Sequence, residues 1–126
     1  MQPFILEATD RTPRIEIVPE EGRIALSGES FPEDAATFYG PVIDAASTMV
    51  AQAKTLAVEF SLIYVNSSSM KALYRLFEVI DERRASGDCA TEVLWTHEPD
   101  DDVMQELGED FKDRFPELSF KILATE

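Results

Sequence analysis

Seven consecutive residues hold the densest chemistry in this chain: Tyr64-Val65-Asn66-Ser67-Ser68-Ser69-Met70. Three adjacent hydroxyls follow an asparagine, a residue type that caps helices by accepting an N–H bond from the first turn. The serines then open a helix, where backbone N–H groups and the helix dipole best tolerate a dianion. The chemistry this suggests is phosphoryl acceptance by a serine hydroxyl. Capping alone explains the same residues, because serines gather at helix starts for that reason.

The helical period separates the three. Ser69 shares the stripe of Leu73, Leu76 and Ile80, so it is expected to face the sheet. Ser67 lies one turn before Lys71 and two before Arg75, on the solvent side. Ser68 is intermediate. Ser67 is therefore the first candidate acceptor and Ser68 the alternative. Tyr64, Asn66, Ser68, Ser69, Lys71 and Arg75 form its surroundings.

Other reactive residues are poorly placed for chemistry. His97 is the only histidine. A hydrolase triad can be assembled on paper from Ser68, His97 and Asp100, but no Gly-x-Ser-x-Gly elbow fixes a nucleophile, and an exposed loop histidine is the plainer reading. Cys89 has no CxxC partner and reads as a small residue before a strand. Glu98, Asp100, Asp101 and Asp102 resemble helix-start acids more than a cation site, since no EF-hand spacing is present. Trp95, Phe111 and Phe115 read as core. No glycine-rich phosphate loop is visible, so a phosphate is expected from a separate kinase.

The elements that must position the serines read β-β-α-β-α-β-α-β. Arg14 to Val18 and Arg23 to Gly28 alternate polar and apolar around the Glu21-Gly22 turn, as a hairpin does. Ser30-Phe31-Pro32-Glu33 fits a capping box, and Ala35, Phe38, Val42, Ala45, Met49 and Ala53 mark the stripe of a first helix. Gly40-Pro41 is expected to kink or split that helix. Leu56 to Tyr64 is mostly apolar, like a sheet-interior strand. Thr91 to Thr96 is a further strand. Asp100 to Phe115 is a third helix, with Val103, Met104, Leu107, Phe111 and Phe115 inward. Phe120 to Leu123 closes the sheet. Strands alternating with helices imply an α/β fold with a mostly parallel central sheet and right-handed crossovers. Functional groups in such sheets gather beyond the carboxyl ends of the strands, where the Asn66 turn and the turn after Trp95 both fall. Only the first dozen residues and the last few look dispensable, though Phe4-Ile5-Leu6 suits an edge strand or a partner contact.

Three segments resemble a known family. Gly28-Glu29-Ser30-Phe31-Pro32-Glu33 is similar to the Gly-x-Ser-Tyr-Pro-Glu turn of the SiaC family of bacterial regulatory phosphoproteins. Tyr39-Gly40-Pro41-Val42-Ile43 resembles its Phe-Gly-Pro-hydrophobic segment. Leu62 to Ser69 resembles its Tyr-hydrophobic-Asn-Thr-Ser-Ser motif, with Ser67 where the family's modified threonine stands. The resemblance implies a single STAS-like domain over residues 1–126, with an N-terminal β-hairpin and helices packed against the sheet. It also implies a circuit. A serine/threonine kinase with a histidine-kinase-like ATPase fold phosphorylates the Asn66-Ser67 site. A PP2C-type phosphatase reverses this, and the unphosphorylated form activates a diguanylate cyclase, raising cyclic di-GMP and influencing biofilm formation. A STAS-type anti-sigma-factor antagonist is the nearest alternative, but its Asp-Ser-hydrophobic-Gly motif is missing.

Composition narrows the partners. The 126 residues carry a net charge of −14 and are 44% hydrophobic, which describes a folded chain with an acidic surface. Such a surface repels nucleic acid and anionic membrane, whose affinities depend on phosphate contacts, and favours a partner with basic patches. No apolar run is long enough to span a bilayer, and no signal peptide opens the chain. With one cysteine there is no internal disulfide. The expectation is a cytoplasmic, non-enzymatic protein with no cofactor, no metal and no small-molecule substrate.

Overall fold

The computed structural model describes all 126 residues. Six strands form one sheet: β1 (Phe4–Leu6), β2 (Arg14–Val18), β3 (Arg23–Ser30), β4 (Thr55–Val65), β5 (Ala90–His97) and β6 (Ser119–Ala124). Three helices alternate with the later strands: α1 (Ala35–Val50), α2 (Ser67–Ala85) and α3 (Asp102–Arg114). The strands lie side by side in chain order. β1, β2 and β3 pair antiparallel, and β3 through β6 pair parallel. The expected mostly parallel sheet with an N-terminal hairpin is what forms. Phe4 to Leu6 is its edge strand, and the backbone N–H of Phe31 donates to the Arg11 carbonyl at 2.8 Å. The first dozen residues are thus stitched into the fold rather than dispensable.

Sequential order has a geometric consequence. Each of the three parallel crossovers is right-handed by the usual steric preference, and repeating one hand in one direction stacks every helix on the same face. The burial pattern agrees. On β4 the residues Leu56, Val58, Phe60 and Leu62 are buried, while Ala57 and Ser61 are exposed. β4 is central in the sheet, yet it is covered on one side only, so it alternates instead of being apolar throughout. The core on the helix side centres on aromatic rings. Phe60 stacks on Phe77 with ring centroids 4.9 Å apart, and Trp95 lies 5.3 Å from Phe60. The Trp95 indole N–H donates to the Met104 carbonyl at 2.9 Å. At Gly108 a Cβ would stand 2.6 Å from the Trp95 ring, so only glycine lets α3 approach this closely.

Several local expectations change. Ser30 does not cap α1. It ends β3, paired with Val65, and Asp34 takes the cap instead, its carboxylate accepting from the Thr37 N–H at 3.1 Å. The buried stripe of α1 runs through Ala35, Tyr39, Val42, Ala46, Met49 and Val50, so Tyr39 rather than Phe38 points fully inward. Pro41 does not split the helix. The proline and Thr37 are both exposed, so the carbonyl left without its usual donor faces water. On α3, Val103 is exposed and turns away from the core, while Met104 and Phe111 are buried.

Candidate functional site

The serine turn follows β4 directly. Asn66 adopts extended backbone angles, and its side-chain oxygen accepts from the Ser69 N–H at 2.9 Å. Its own N–H donates to the Ser30 carbonyl at 2.9 Å, tying the turn to the end of β3. The cap leaves the Ser67 and Ser68 N–H groups without intrahelical acceptors, as any helix start does.

Ser69 is fully buried, as its place in the stripe requires, and belongs to a chain of hydroxyls. Ser30 Oγ donates to Ser69 Oγ at 2.8 Å and lies 2.6 Å from the Tyr39 hydroxyl. A serine has one hydroxyl proton, so Tyr39 must be the donor to Ser30. The sequence Tyr39 to Ser30 to Ser69 thus joins α1, the end of β3 and the first turn of α2. Burial pushes the Tyr39 phenol above its ordinary pKa. The phenol stays a neutral donor at neutral pH. Neither Ser30 nor Tyr39 stood out in the sequence as part of this turn; Ser30 matched a capping box, and Tyr39 sat beside the assumed stripe.

Ser67 and Ser68 are both exposed, so Ser68 is more open than its intermediate wheel position suggested. Their surroundings differ. Ser68 lines a groove between α1 and α2 together with Glu33, Asp34, Tyr39 and Lys71. Hydrogen bonds from the Thr37 backbone and hydroxyl hold the Asp34 carboxyl below the usual range, so it is ionised there. A phosphate on Ser68 would share that groove with the Asp34 charge as well as with Lys71. Ser67 lies outside the groove. The two cations on its face also differ: Arg75 lies near Glu78 and Glu82 at 3.8 and 3.6 Å, whereas Lys71 has no ion-pair partner.

Just before the turn the sheet register slips. Gly28 pairs with Leu62 and Glu29 with Tyr64, so Ile63 is the extra residue of a bulge. Gly28 holds φ at +108°, in the region that favours glycine. The bulge breaks the in-out alternation, leaving Ile63 and Tyr64 54% and 50% exposed beside the serines. Tyr64 is held by an edge-on contact with Phe31 at 5.8 Å.

The triad on paper is not assembled. His97 is the last residue of β5 and is buried, not on an exposed loop; its Nδ1 lies 2.8 Å from the Glu98 carbonyl, and no hydrogen bond joins it to a serine. β4 and β5 are neighbours, so the two turns do open at the same end of the sheet. Among the nearby acids, Asp101 caps α3 by accepting from the Met104 N–H at 3.1 Å, and Asp102 lies in the first turn. Cys89 is buried directly before β5, and Trp95, Phe111 and Phe115 are core residues. No helix is long and apolar enough to cross a membrane.

Comparison with known proteins converges on one group. The model of the SiaC family regulatory phosphoproteins matches residues 6–125. Apo-SiaC from Pseudomonas aeruginosa superposes with a TM-score of 0.89 at 28% identity, covering 98% of this chain and 100% of that one. A crystal structure of the diguanylate cyclase SiaD in complex with its activator SiaC, from the same organism, matches with a TM-score of 0.90 at 27% identity, covering 97% and 99%. An uncharacterized protein of Pseudomonas aeruginosa strain UCBPP-PA14 is 27% identical over 114 residues, 90% of each chain.

Proposed function

The chain belongs to the SiaC family of regulatory phosphoproteins, and from that premise we propose that it is a non-enzymatic phospho-switch whose unphosphorylated form binds and activates a diguanylate cyclase. Ser67 is the phosphoacceptor. A serine/threonine kinase modifies it, and a PP2C-type phosphatase restores it. The protein works as one domain in the cytoplasm, upstream of cyclic di-GMP.

One observation carries the assignment to Ser67. Of three consecutive hydroxyls, Ser69 is locked inward by Ser30 and Ser68 lines the groove that holds the ionised Asp34 along with Lys71, whereas Ser67 is exposed outside that groove, four residues before Lys71. The SiaD–SiaC complex of the relative supports the choice of partner class. The switching physics is local. A phosphate adds about −1.5 to −2 charge and three acceptor oxygens at the start of α2. The free protein accommodates that charge at a helix start. An interface packed over Ile63, Tyr64 and the serine turn must desolvate it, and an unpaired charge buried there weakens binding strongly.

The test is phosphopeptide mapping after incubation with the cognate kinase, followed by titration of the cyclase. Label at Ser67, and cyclase binding by Ser67→Ala even with active kinase present, is the expected result. Exclusive label at Ser68 or Ser69 overturns the acceptor assignment. Equal cyclase affinity of the phosphorylated and unmodified proteins overturns the switch, since a ligand state without differential affinity shifts nothing.

A further inference from the structure

Asp110 and Arg114 stand one turn apart on α3, at the i,i+4 spacing where an acid and a guanidinium ordinarily pair. They do not pair with each other or with any other charge. The Arg114 guanidinium lies 5.6 Å over the Tyr74 ring of α2 instead. Both residues line a surface groove of about 340 Å³ between α2 and α3, together with Lys71, Tyr74, Met70 and Phe111. Phe111 is buried, Met70 is half-buried, and Tyr74, Lys71, Asp110 and Arg114 are exposed. The groove thus joins an aromatic face and an apolar floor to one free carboxylate and two cations. Its lining is net positive in a chain of net charge −14, so an anion is attracted here and repelled elsewhere. Its volume lies at the small end of ligand pockets, which run from about 300 to 1,000 Å³.

We propose that this groove binds a guanine nucleotide, with the base read by Asp110 and Arg114 and the phosphate held by Lys71. Guanine carries the donors N1–H and N2–H2 on one edge and the acceptors O6 and N7 on the adjoining edge. A carboxylate accepts from the first edge and a guanidinium donates to the second. Side chains at i and i+4 start about 5–6 Å apart, which suits two edges that meet at O6. Arg114 gives up the Tyr74 face to the base, which stacks there above Met70 and Phe111, and turns to the O6 and N7 edge. Lys71 lies within a turn of Tyr74 and supplies the point charge for the phosphate. Adenine has an amino group where guanine has O6, and its N1 bears no proton. It leaves both the guanidinium and the carboxylate mismatched, and a site built on hydrogen bonds rejects such an analogue strongly. The proposal goes beyond the phospho-switch reading and does not require it. That reading supplies two sources of the same chemistry, the GTP that a diguanylate cyclase consumes and the cyclic di-GMP that it makes.

The experiment is calorimetric titration of the purified, unphosphorylated full chain with GMP, GTP, cyclic di-GMP, AMP and ATP. Saturable binding of a guanine nucleotide, about tenfold or more tighter than its adenine counterpart, is the expected result. Tighter binding of GTP than of cyclic di-GMP names the cyclase substrate as the source, and the reverse order names the product. Arg114→Ala is expected to weaken GMP binding about tenfold or more. Asp110→Asn is expected to lose GMP and to gain xanthosine monophosphate, whose C2 carbonyl accepts from the new amide; a merely structural role does not exchange one base for another. Lys112 lies outside this groove, lining a different pocket with His97 and Gln105, and Lys112→Ala is expected to change affinity less than about threefold. A thermal melt confirms that each variant is folded. Absence of saturable binding at millimolar nucleotide overturns the proposal. Equal affinity for guanine and adenine nucleotides reduces the groove to phosphate attraction and overturns it as well. So does an Asp110→Asn variant that keeps its guanine preference, or a Lys112→Ala variant weakened as much as Arg114→Ala. None of these titrations contains kinase, phosphatase or cyclase, so their failure leaves the phospho-switch reading untouched.

Discussion

Ser30→Ala removes the middle of the buried hydroxyl chain, and its cost follows from who is left behind. Ser30 and Ser69 are fully buried and Tyr39 is 1% exposed, so water cannot replace a lost partner. Each buried group stranded by such a deletion costs about 1–3 kcal/mol. Ser30→Ala strands two, the Tyr39 proton and the Ser69 oxygen. Partial relaxation of the neighbouring side chains around the shortened residue recovers part of the loss. The net expectation is about 2–3 kcal/mol, or a fall in melting temperature of about 6–12 °C for a chain of this size. Tyr39→Phe removes only the terminal donor, and Ser30 keeps its bond to Ser69, so about 1 kcal/mol is expected. Urea denaturation of both single variants and the double variant measures the ranking and the coupling between them. The double variant should cost less than the sum of the singles, because the Tyr39 donor stranded by the first change is deleted by the second. If Tyr39→Phe costs as much as Ser30→Ala, or the two changes add, the hydroxyls do not act as a chain and the reasoning fails.

The same phenol predicts an alkaline effect. Its folded pKa is raised, so its contribution is complete below the unfolded value near 10 and is lost as pH rises through the folded value; wild type should lose stability above about pH 10 more steeply than Tyr39→Phe in a denaturation series. Gly108→Ala forces a methyl against the Trp95 ring and is expected to cost about 1–3 kcal/mol, read from denaturation midpoints, with altered tryptophan emission. Ser67→Glu should fold normally and weaken cyclase binding less than phosphorylation does, because a carboxylate brings about half the charge; calorimetry on the three forms ranks them, and an acidic variant binding like wild type would count against an interface over the turn.

What was legible depended on how local the controlling forces are. The Asn66 cap and the inward turn of Ser69 follow from neighbours within one helical turn, and both hold. The order and type of the strands and helices follow from period, and they hold too. Ser30 failed because its capping pattern competes with a ladder to Val65, thirty-five residues away, which no local window contains. Asp34 and Thr37 carried the true cap signal three residues apart. Val103 fits the inward set of Met104, Leu107, Phe111 and Phe115 by sequence, but the docking of Trp95 on Gly108 sets the rotation of α3 and turns it outward. The outward pair Ile63 and Tyr64 depends on a register slip against Gly28, and Arg75 is engaged by acids on its own helix. These are long-range or many-body facts. They also gather around the serine turn, where the fold departs from regular alternation.

The strands that lie side by side in chain order also shape how the chain acquires its fold. No strand pairs with any but its immediate predecessor and successor in sequence. Closing each pairing therefore spans a single crossover, and closure entropy grows only slowly with loop length. Pairing only with sequence neighbours keeps the sheet's contacts local for a parallel fold and favours faster folding. The contacts that tie the serine turn all lie within residues 30–69, whereas α3 and β6 come later in the chain.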